Sequence, residues 1–485
     1  MIGSIRGLGN ARQANYTGAV MAPGVLAARP DVKAALDVLS AWIENQRAYS
    51  GLPGATLSVV HDQELVWAAG FGWADLERRV SATPDTLYRI ASITKTFTAT
   101  AILQLRDAGR LQLDDPLTRH LPWFSITTKH PDAPPITIRH LLTHTAGLPR
   151  EAAFPYWTDF VFPDAERLRE GLTRQEGILA TETQWKYSNL GLALAGDVVE
   201  AVSGEPYADY VQRHILDPLE MTATAVRAPD PADRRLARPY GRRMPDGSRG
   251  AAPHVDTLAI GAAANMTTSV TDLSRFAMLQ FRDGPAGGAQ ILRGSTLREM
   301  QRIHWLEPDW QAGWGLGFRI QRVSGKTSFG HGGSLPGYRT QLRMWPADKL
   351  AVIAMTNADD GDPLTMVERA QQYVGPSIAK ATARDDKRAP EPGWERYAGR
   401  FRNRWGDVQV LLVDDGLLLI EPSLPDPLAM ATRLYPIEGQ PHTFRAEEKD
   451  PYGSHGETVL FELGANGRAM RIRFGQNYID AVENW

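Results

Sequence analysis

Apolar and polar positions divide the chain into a long mixed region and a β-rich C-terminal region. Apolar side chains recur at helical spacing from Val32 to Ile43, which predicts a helix over residues 31–46. Two β-rich runs at residues 55–60 and 64–71 flank a short polar break and predict an antiparallel hairpin. Helical periodicity also predicts helices at residues 92–107, 138–145, 190–202, 207–215 and 273–281.

Strand patterns return after these helices. They predict strands at residues 317–323, 341–345 and 350–356, and a further strand candidate ends near Phe329. A mainly helical middle therefore lies between strands at both ends, which predicts one domain whose sheet is closed by distant parts of the chain.

The pattern changes again after residue 378, where a charged run with Pro390 and Pro392 indicates a linker. Beyond it, short runs alternate with a period of two and predict a small antiparallel barrel or curved sheet. These runs cover residues 408–413, 417–420, 443–446, 458–463 and 470–474, with turns at Asp414-Asp415-Gly416 and Asn466-Gly467. We therefore divide the chain into four parts: an extension of low order (1–30), a main domain (31–383), a linker (384–393) and a β-barrel domain (394–485).

Composition limits the chemistry that is open to the chain. With 485 residues, 43% of them hydrophobic and 22% charged, the sequence is typical of a globular protein with two domains. A formal net charge of -3 supplies no field for nucleic acid or an anionic membrane. A small-molecule or short-peptide substrate is the expected partner, and homo-oligomerisation is left open. The absence of cysteine excludes a thiol nucleophile, disulfides and cysteine-ligated metals.

Targeting signals are not evident in the sequence. The first thirty residues lack the apolar core of a secretory signal, and no apolar run reaches transmembrane length. A cytoplasmic location is the default expectation.

Ser92-Ile93-Thr94-Lys95 is the first candidate for catalysis, because residues three apart share one face of a helix. A serine hydroxyl is a weak nucleophile, and a nearby lysine amine that is kept neutral by burial can activate it. A helix start also directs amide hydrogens at a developing oxyanion. The alternative is an N-cap serine with a solvated lysine. Ser377-Ile378-Ala379-Lys380 has the same spacing but lies beside the charged linker and is interpreted as a surface segment.

Two later segments supply partners for this pair. Tyr187-Ser188-Asn189 offers a phenol for proton exchange and an amide that can hold the lysine or the substrate. His331-Gly332-Gly333-Ser334 offers small residues that let a strand edge approach a substrate and present a backbone amide to an oxyanion.

In this order, the three motifs resemble those of the superfamily of class C β-lactamases, penicillin-binding proteins and serine esterases. The segments at residues 136–149, 218–221 and 330–338 are similar as well, and the resemblance spans roughly residues 52–357. It implies an α/β fold with an antiparallel sheet flanked by helices, beside an all-helical region, with the nucleophile between them. The C-terminal segment resembles the lipocalin-like barrel of some peptidases and esterases of this superfamily, where the barrel is implied to restrict access to the active site.

The resemblance implies a role for each matching residue. Ser92 corresponds to the acylated serine, Lys95 and Tyr187 to the proton-transfer pair, and Asn189 to a positioning residue. The amides of Ser92 and Ser334 correspond to the oxyanion hole. His331 and Gly333 belong to the same substrate-binding segment. Tyr338 is a candidate for the wall of the cleft for a separate reason, because it directly follows this glycine-rich segment.

One departure bears on the substrate. His331-Gly332-Gly333 stands where β-lactamases of this superfamily usually have Lys-Thr-Gly, and the loss of a fixed charge weakens the binding of a β-lactam carboxylate. In this feature the chain resembles the D-amino-acid peptidases and carboxypeptidases of the superfamily, in which a histidine does occur at this position.

We therefore expect a serine hydrolase that acts on amide or peptide bonds of small peptides, including D-configured ones. The alternatives are a carboxylesterase, a weak β-lactamase and a non-catalytic penicillin-binding or sensor protein. No cofactor and no metal are expected. His140 and His144 are four residues apart like two zinc ligands, but no glutamate lies between them, and they are interpreted as scaffold.

Overall fold

The computed structural model describes residues 24–284, 286–323, 325–383, 391–414, 416–448 and 453–482. The chain divides into two units, Met1–Thr382 and Ala383–Trp485. Of the predicted extension, residues 1–23 lie outside the described residues, as do residues 384–390 of the predicted linker and Asp415 of the predicted turn. The extension was predicted to have low order, but its residues 24–29 pack against the first unit. The Gly24 N–H donates to the Val66 carbonyl oxygen at 3.2 Å, and Ala27 is buried.

Helices of the first unit include most of those predicted from periodicity. In chain order they are α1 (Pro30–Ser50), α2 (Thr94–Asp107), α3 (Leu117–His120), α4 (Ile138–Thr143), α5 (Tyr156–Asp159), α6 (Ala165–Leu172), α7 (Asn189–Ser203), α8 (Tyr207–Val211), α9 (Gly261–Ala264), α10 (Val270–Leu279), α11 (Gly294–Met300) and α12 (Pro363–Thr382). Among the helices of the described residues, none has the length and apolarity needed to cross a membrane.

Strands of the first unit come from both ends of its sequence. They are β1 (Gly54–His61), β2 (Glu64–Asp75), β3 (Val80–Ser81), β4 (Tyr88–Arg89), β5 (Thr267–Thr268), β6 (Trp305–Leu306), β7 (Ala312–Trp314), β8 (Arg319–Val323), β9 (Lys326–Leu335), β10 (Tyr338–Trp345) and β11 (Leu350–Thr356). All except β4 and β5, which pair with each other, form one sheet in the order β3-β2-β1-β11-β10-β9-β8-β7-β6. Its pairs are antiparallel, and β1 lies beside β11, so distant parts of the chain close the sheet as predicted.

The sheet separates two apolar cores. Val352 on β11 packs in a cluster with Leu39 of α1 and Val367 of α12. The next residue, Ile353, points to the other face and joins the larger cluster that includes Phe97 of α2. Because side chains alternate along a strand, burial of both faces explains why β11 is an unbroken apolar run. The predicted antiparallel sheet with flanking helices is confirmed.

Several elements, such as α6 and α11, were not recognised from the sequence, and two further ones belong to the main sheet or cover it. The first is α12, which covers one face of the sheet and contains Pro376 within its length. The second is the full extent of β9, which was expected to end near Phe329 but continues to Leu335. Three glycines in this stretch have little β-propensity, so only pairing with the neighbouring strand reveals it.

The second unit is a closed antiparallel barrel with its own apolar core. Its strands are β12 (Gly399–Asn403), β13 (Gly406–Val413), β14 (Gly416–Ile420), β15 (Thr432–Pro436), β16 (Thr443–Glu447), β17 (Thr458–Leu463), β18 (Ala469–Phe474) and β19 (Asn477–Ala481). Pairing of Phe401 with Ala481 closes the barrel, and Phe401, Phe444 and Phe461 are buried inside it. The predicted barrel is confirmed, and its likeness to lipocalins stays a prediction.

Candidate active site

Ser92 lies in a 3-10 turn, Ala91–Ile93, that leads directly into α2. Ala91 has a φ of +47°, which is the left-handed region that non-glycine residues rarely adopt and that occurs often at functional sites. The residues at the N-cap positions of the turn and of α2 are Ile90 and Ile93, and neither helix start is capped by a side chain. Ser92 is therefore not an N-cap serine, and its hydroxyl is available for other contacts.

The Lys95 side chain is buried and faces Ser92. Its Nζ lies 3.1 Å from the Ser92 Oγ, 2.8 Å from the Asn189 Oδ1 and 2.8 Å from the Ala263 carbonyl oxygen. Burial lowers the pKa of Lys95 to about 7. A neutral amine has two N–H groups and one lone pair. Because the two carbonyl oxygens can only accept, they take both N–H groups, and the lone pair is left for the Ser92 hydroxyl.

Tyr187 precedes α7, whose N-cap is Ser188. The Ser188 Oγ accepts the Gly191 N–H at 2.9 Å, which fixes the start of the helix. The Tyr187 ring centroid lies 5.0 Å from the Lys95 Nζ, and its phenol is near enough to the Ser92 side chain for Ser92 to lower the pKa of Tyr187 against the larger effect of burial. Burial raises the pKa of Tyr187, so the phenol is protonated at neutral pH and can donate a hydrogen bond.

His144 supports this tyrosine and was not predicted as part of the site. Its ring lies 4.4 Å from the Tyr187 ring, and its Nδ1 accepts the Ser188 N–H at 3.1 Å. Burial and the nearby Lys95 hold the pKa of His144 well below its usual range, so the ring is neutral. His140 has separate partners, since its Nδ1 accepts the Thr137 N–H and its Nε2 contacts Glu182 at 2.9 Å. Each histidine is thus committed to its own local contacts, in agreement with the scaffold interpretation.

Strand β9 approaches Ser92 because Gly333 has no side chain. A Cβ at this position would overlap the Ile90 carbonyl oxygen and the Thr340 Oγ1. The strand is not at the edge of the sheet over its whole length, because β8 pairs with it as far as the Arg319–Gly330 pair. Beyond that pair, β10 is the one strand of the described residues that pairs with β9, so the segment from His331 to Leu335 forms a local edge beside the Ser92 turn.

The His331 ring has one nitrogen bonded and one free. Its Nδ1 lies 2.7 Å from the Gly332 carbonyl oxygen, which can only accept, so the proton is on Nδ1. Burial is the largest cause that lowers the pKa of His331, to about 3, and Lys95 adds to it. The ring is therefore neutral. Its Nε2 is buried without a hydrogen-bond partner among the described residues, and it is an acceptor rather than the donor that a lysine would supply.

Several of the residues described above border one cavity of about 470 Å³. Ser92, Tyr187, His331, Gly333 and Ser334 line it, together with a stacked pair of indoles, Trp185 and Trp314, whose centroids are 5.2 Å apart. Arginines also contribute to the lining, and none of the described lining residues is a carboxylate.

Most of the sequence candidates lie together in this region, with Asn189 buried behind Lys95 and in contact with it. Tyr338 is an exception and is corrected here. Its side chain is buried in the core, its hydroxyl donates to the Ala237 carbonyl oxygen at 2.5 Å, and it does not line the cavity. In the second segment with Ser-x-x-Lys spacing, Ser377–Lys380, the Lys380 side chain is exposed near the end of α12. Its Nζ lies 3.9 Å from an Asp31 carboxylate oxygen.

Comparison with known proteins shows the family and the fold of the chain. The family model named beta-lactamase matches residues 39–374. Beta-lactamase-like protein 2 of Dictyostelium discoideum is 27% identical over 397 residues, which cover 76% of this chain and 71% of that protein. The octameric penicillin-binding protein homologue from Pyrococcus abyssi has a TM-score of 0.59 at 23% identity, over 92% of this chain and 100% of that one. A D-stereospecific amidohydrolase from Streptomyces sp. has a TM-score of 0.55 at 27% identity, over 70% of this chain and 98% of that one.

Proposed function

The chain belongs to the beta-lactamase family and is a serine hydrolase of that fold, and we propose that it cleaves amide bonds of small peptides through an acyl intermediate on Ser92. The similarity to a D-stereospecific amidohydrolase supports an amide substrate and extends the proposal to peptides with D-configured residues.

The observation that carries this proposal is the environment of the Lys95 amine. Two carbonyl oxygens hold its N–H groups, and its lone pair faces the Ser92 Oγ at 3.1 Å. A surface lysine would be protonated at neutral pH and could not accept the hydroxyl proton, whereas burial keeps a substantial fraction of Lys95 neutral. This geometry is the one expected of a base that activates a serine.

The chemistry proceeds in two stages. The Ser92 Oγ attacks the substrate carbonyl carbon and forms a C–O bond while its proton passes to Lys95. The Ser92 and Ser334 amides are the proposed donors to the resulting oxyanion. The C–N bond then breaks, and the amine leaves with a proton delivered through the Tyr187 phenol, which Lys95 replenishes. Water next attacks the acyl ester and gives one proton to Lys95. That proton returns to Ser92 as the acid is released.

Polar groups of the cavity favour a peptide over a simple ester. The free His331 Nε2 accepts a hydrogen bond, so it suits an N–H of the substrate. Arg319 is half-exposed in the cavity lining, and among the described residues the one carboxylate near it is Glu307, at 4.0 Å. A guanidinium with so weak a partner suits a carboxylate of the substrate. Peptides carry both groups.

A carboxylesterase is the second candidate, because esters pass through the same acyl intermediate and the stacked Trp185 and Trp314 can receive an apolar acyl group. The neutral His331 supports at most weak β-lactam hydrolysis. Homo-oligomerisation also remains a proposal.

The test is a panel of substrates on the purified protein, comprising D- and L-aminoacyl anilides, short peptides, p-nitrophenyl esters and nitrocefin. We expect the largest kcat/KM on an anilide or a peptide. Ester hydrolysis alone would establish the esterase alternative. A protein that turns over none of them and is not labelled at Ser92 by a fluorophosphonate would be a binding protein instead.

A further inference from the structure

Glu151 lies directly behind the catalytic pair, outside the three sequence motifs. Its Oε1 accepts a hydrogen bond from the Asn189 Nδ2 at 2.7 Å, while the Asn189 Oδ1 accepts from the Lys95 Nζ at 2.8 Å. An amide has one accepting end and one donating end, and a carboxylate only accepts. Glu151 therefore decides that the oxygen of Asn189, and not its NH2 group, faces the lysine.

The carboxylate of Glu151 is itself held in place. Its Oε2 accepts the Tyr156 hydroxyl at 2.7 Å, and the Tyr156 oxygen accepts the Ala152 N–H at 3.0 Å. Tyr156 is fully buried and its ring stacks on Phe162 at a centroid distance of 4.7 Å. Burial raises the pKa of Tyr156, so its hydroxyl remains a donor. A continuous chain of hydrogen bonds thus leads from a packed aromatic side chain to the amine beside Ser92.

Charge adds a second influence on the amine. Burial lowers the pKa of Lys95, and the positive charge of Arg150 lowers it further. The negative charge of Glu151 raises it. Arg150 lies over the Tyr187 ring, and its Nε is 3.3 Å from the Glu151 Oε1. The fraction of Lys95 that is neutral therefore depends on which of these neighbours is present.

We propose that Glu151 is a positioning residue that fixes the Asn189 amide with its oxygen toward Lys95 and thereby holds the Lys95 amine against Ser92. The inference rests on the proposed function. Its simpler alternative is that Glu151 only anchors the loop through Tyr156, in which case its removal would lower stability and leave the reactivity of the folded protein unchanged.

The experiment measures the second-order rate of Ser92 labelling by a fluorophosphonate from pH 5 to pH 10. This reaction forms an Oγ–P bond, breaks the P–F bond, releases fluoride and passes the hydroxyl proton to Lys95, so it requires no natural substrate. The variants are Glu151→Gln, Glu151→Ala, Asn189→Ala and the double variant Glu151→Ala/Asn189→Ala. Glu170→Gln is the matched control, because it removes an exposed carboxylate from α6.

Glu151→Gln keeps an acceptor for Asn189, so we expect the labelling rate at high pH to reach a plateau near that of the parent. The variant loses the negative charge that raises the pKa of Lys95, so the labelling rate should begin to rise at a lower pH. Glu151→Ala frees the amide to rotate, and we expect its plateau to fall about tenfold or more. If Glu151 acts through Asn189, adding Glu151→Ala to Asn189→Ala should lower the plateau of the labelling rate less than Glu151→Ala lowers it in the parent. Glu170→Gln should leave both the plateau and the pH at which the rate rises unchanged.

Full additivity of Glu151→Ala and Asn189→Ala, or a parent-like plateau in Glu151→Ala, would overturn the inference. If Glu151→Ala does not fold, Glu151→Leu takes its place, because it removes the acceptor for Asn189 but keeps side-chain volume, and a parent-like plateau of the labelling rate in it rejects the role. A parent protein that is not labelled at Ser92 would instead overturn the proposed function, so the two failures are distinguishable.

Discussion

The Lys95 Nζ lies 3.1 Å from the Ser92 Oγ, and Lys95 is buried to 1% exposure. Helical spacing brings the two residues onto one face, but spacing alone does not make the lysine a base. The structure adds two carbonyl oxygens that hold its N–H groups, and burial that lowers its pKa. The first predictions concern this pair.

Replacement of Ser92 by alanine should abolish turnover and fluorophosphonate labelling, with a loss in kcat of about 10⁴-fold or more, because no other group can form the acyl bond. The fold should persist, since one lost hydrogen bond contributes only about 0.5–1.5 kcal/mol. Intact-mass analysis and thermal unfolding check both statements. A stable variant with near-normal turnover would refute the central role of Ser92.

Lys95→Ala and Tyr187→Phe should each reduce kcat strongly, and the double variant should be little worse than the more damaging single one. Both side chains interact with Ser92, and the proposed mechanism makes them one proton-transfer unit, so we do not expect their effects to be independent. Steady-state kinetics of the three variants test this. Effects that multiply would show that the two residues act in separate steps.

The rate of Ser92 labelling should rise with pH through about 7, because Lys95 must be neutral to accept the proton and its pKa is lowered to about 7. Below this pH the amine is protonated and the rate should fall about tenfold per pH unit. Burial raises the pKa of Tyr187, so its phenol should not titrate in the neutral range. A rate that stays flat from pH 5 to pH 9 would contradict a lysine base.

Gly333→Ala should lower kcat/KM and stability together, because its Cβ would overlap the Ile90 carbonyl oxygen and push β9 away from the Ser92 turn. Overpacking of this kind costs about 1–3 kcal/mol. Gly332→Ala is the matched control, since its Cβ would meet only the end of the flexible Gln341 side chain, at 2.9 Å. Thermal unfolding and kinetics of both variants should show a much larger loss for Gly333→Ala.

Local patterns were sufficient to predict much of the fold and the centre of the site. The Ser92–Lys95 spacing lies within one helical turn, and the hairpin of β1 and β2 follows from alternation along adjacent segments. The barrel could also be predicted, because its strands are short apolar runs bounded by turn residues, whereas the antiparallel sheet of the first unit was implied by the resemblance to the superfamily.

The remaining parts of the site depend on contacts between distant residues. Glu151 and Asn189 are 38 positions apart, and no local pattern indicates that one orients the other. Tyr338 was assigned to the cleft because it follows the glycine-rich segment, but its side chain points into the core, where it meets Tyr88 edge to face. The direction of a side chain on a strand is set by register, which the glycines of β9 do not reveal.

The final prediction concerns the C-terminal barrel. The residues of the proposed mechanism belong to the first unit, and the buried cluster formed by Trp394, Phe401 and Phe461 contains residues of the second unit alone. Because the barrel has its own core, a chain ending after Thr382 should fold and still react with a small fluorophosphonate at Ser92. The relative rates on short and long peptides, measured with and without the barrel, then report whether the barrel limits substrate size. Light scattering on both chains separates this effect from a change in oligomeric state. Loss of the reaction with the small fluorophosphonate in a folded, truncated chain would show that the barrel contributes to the chemistry itself.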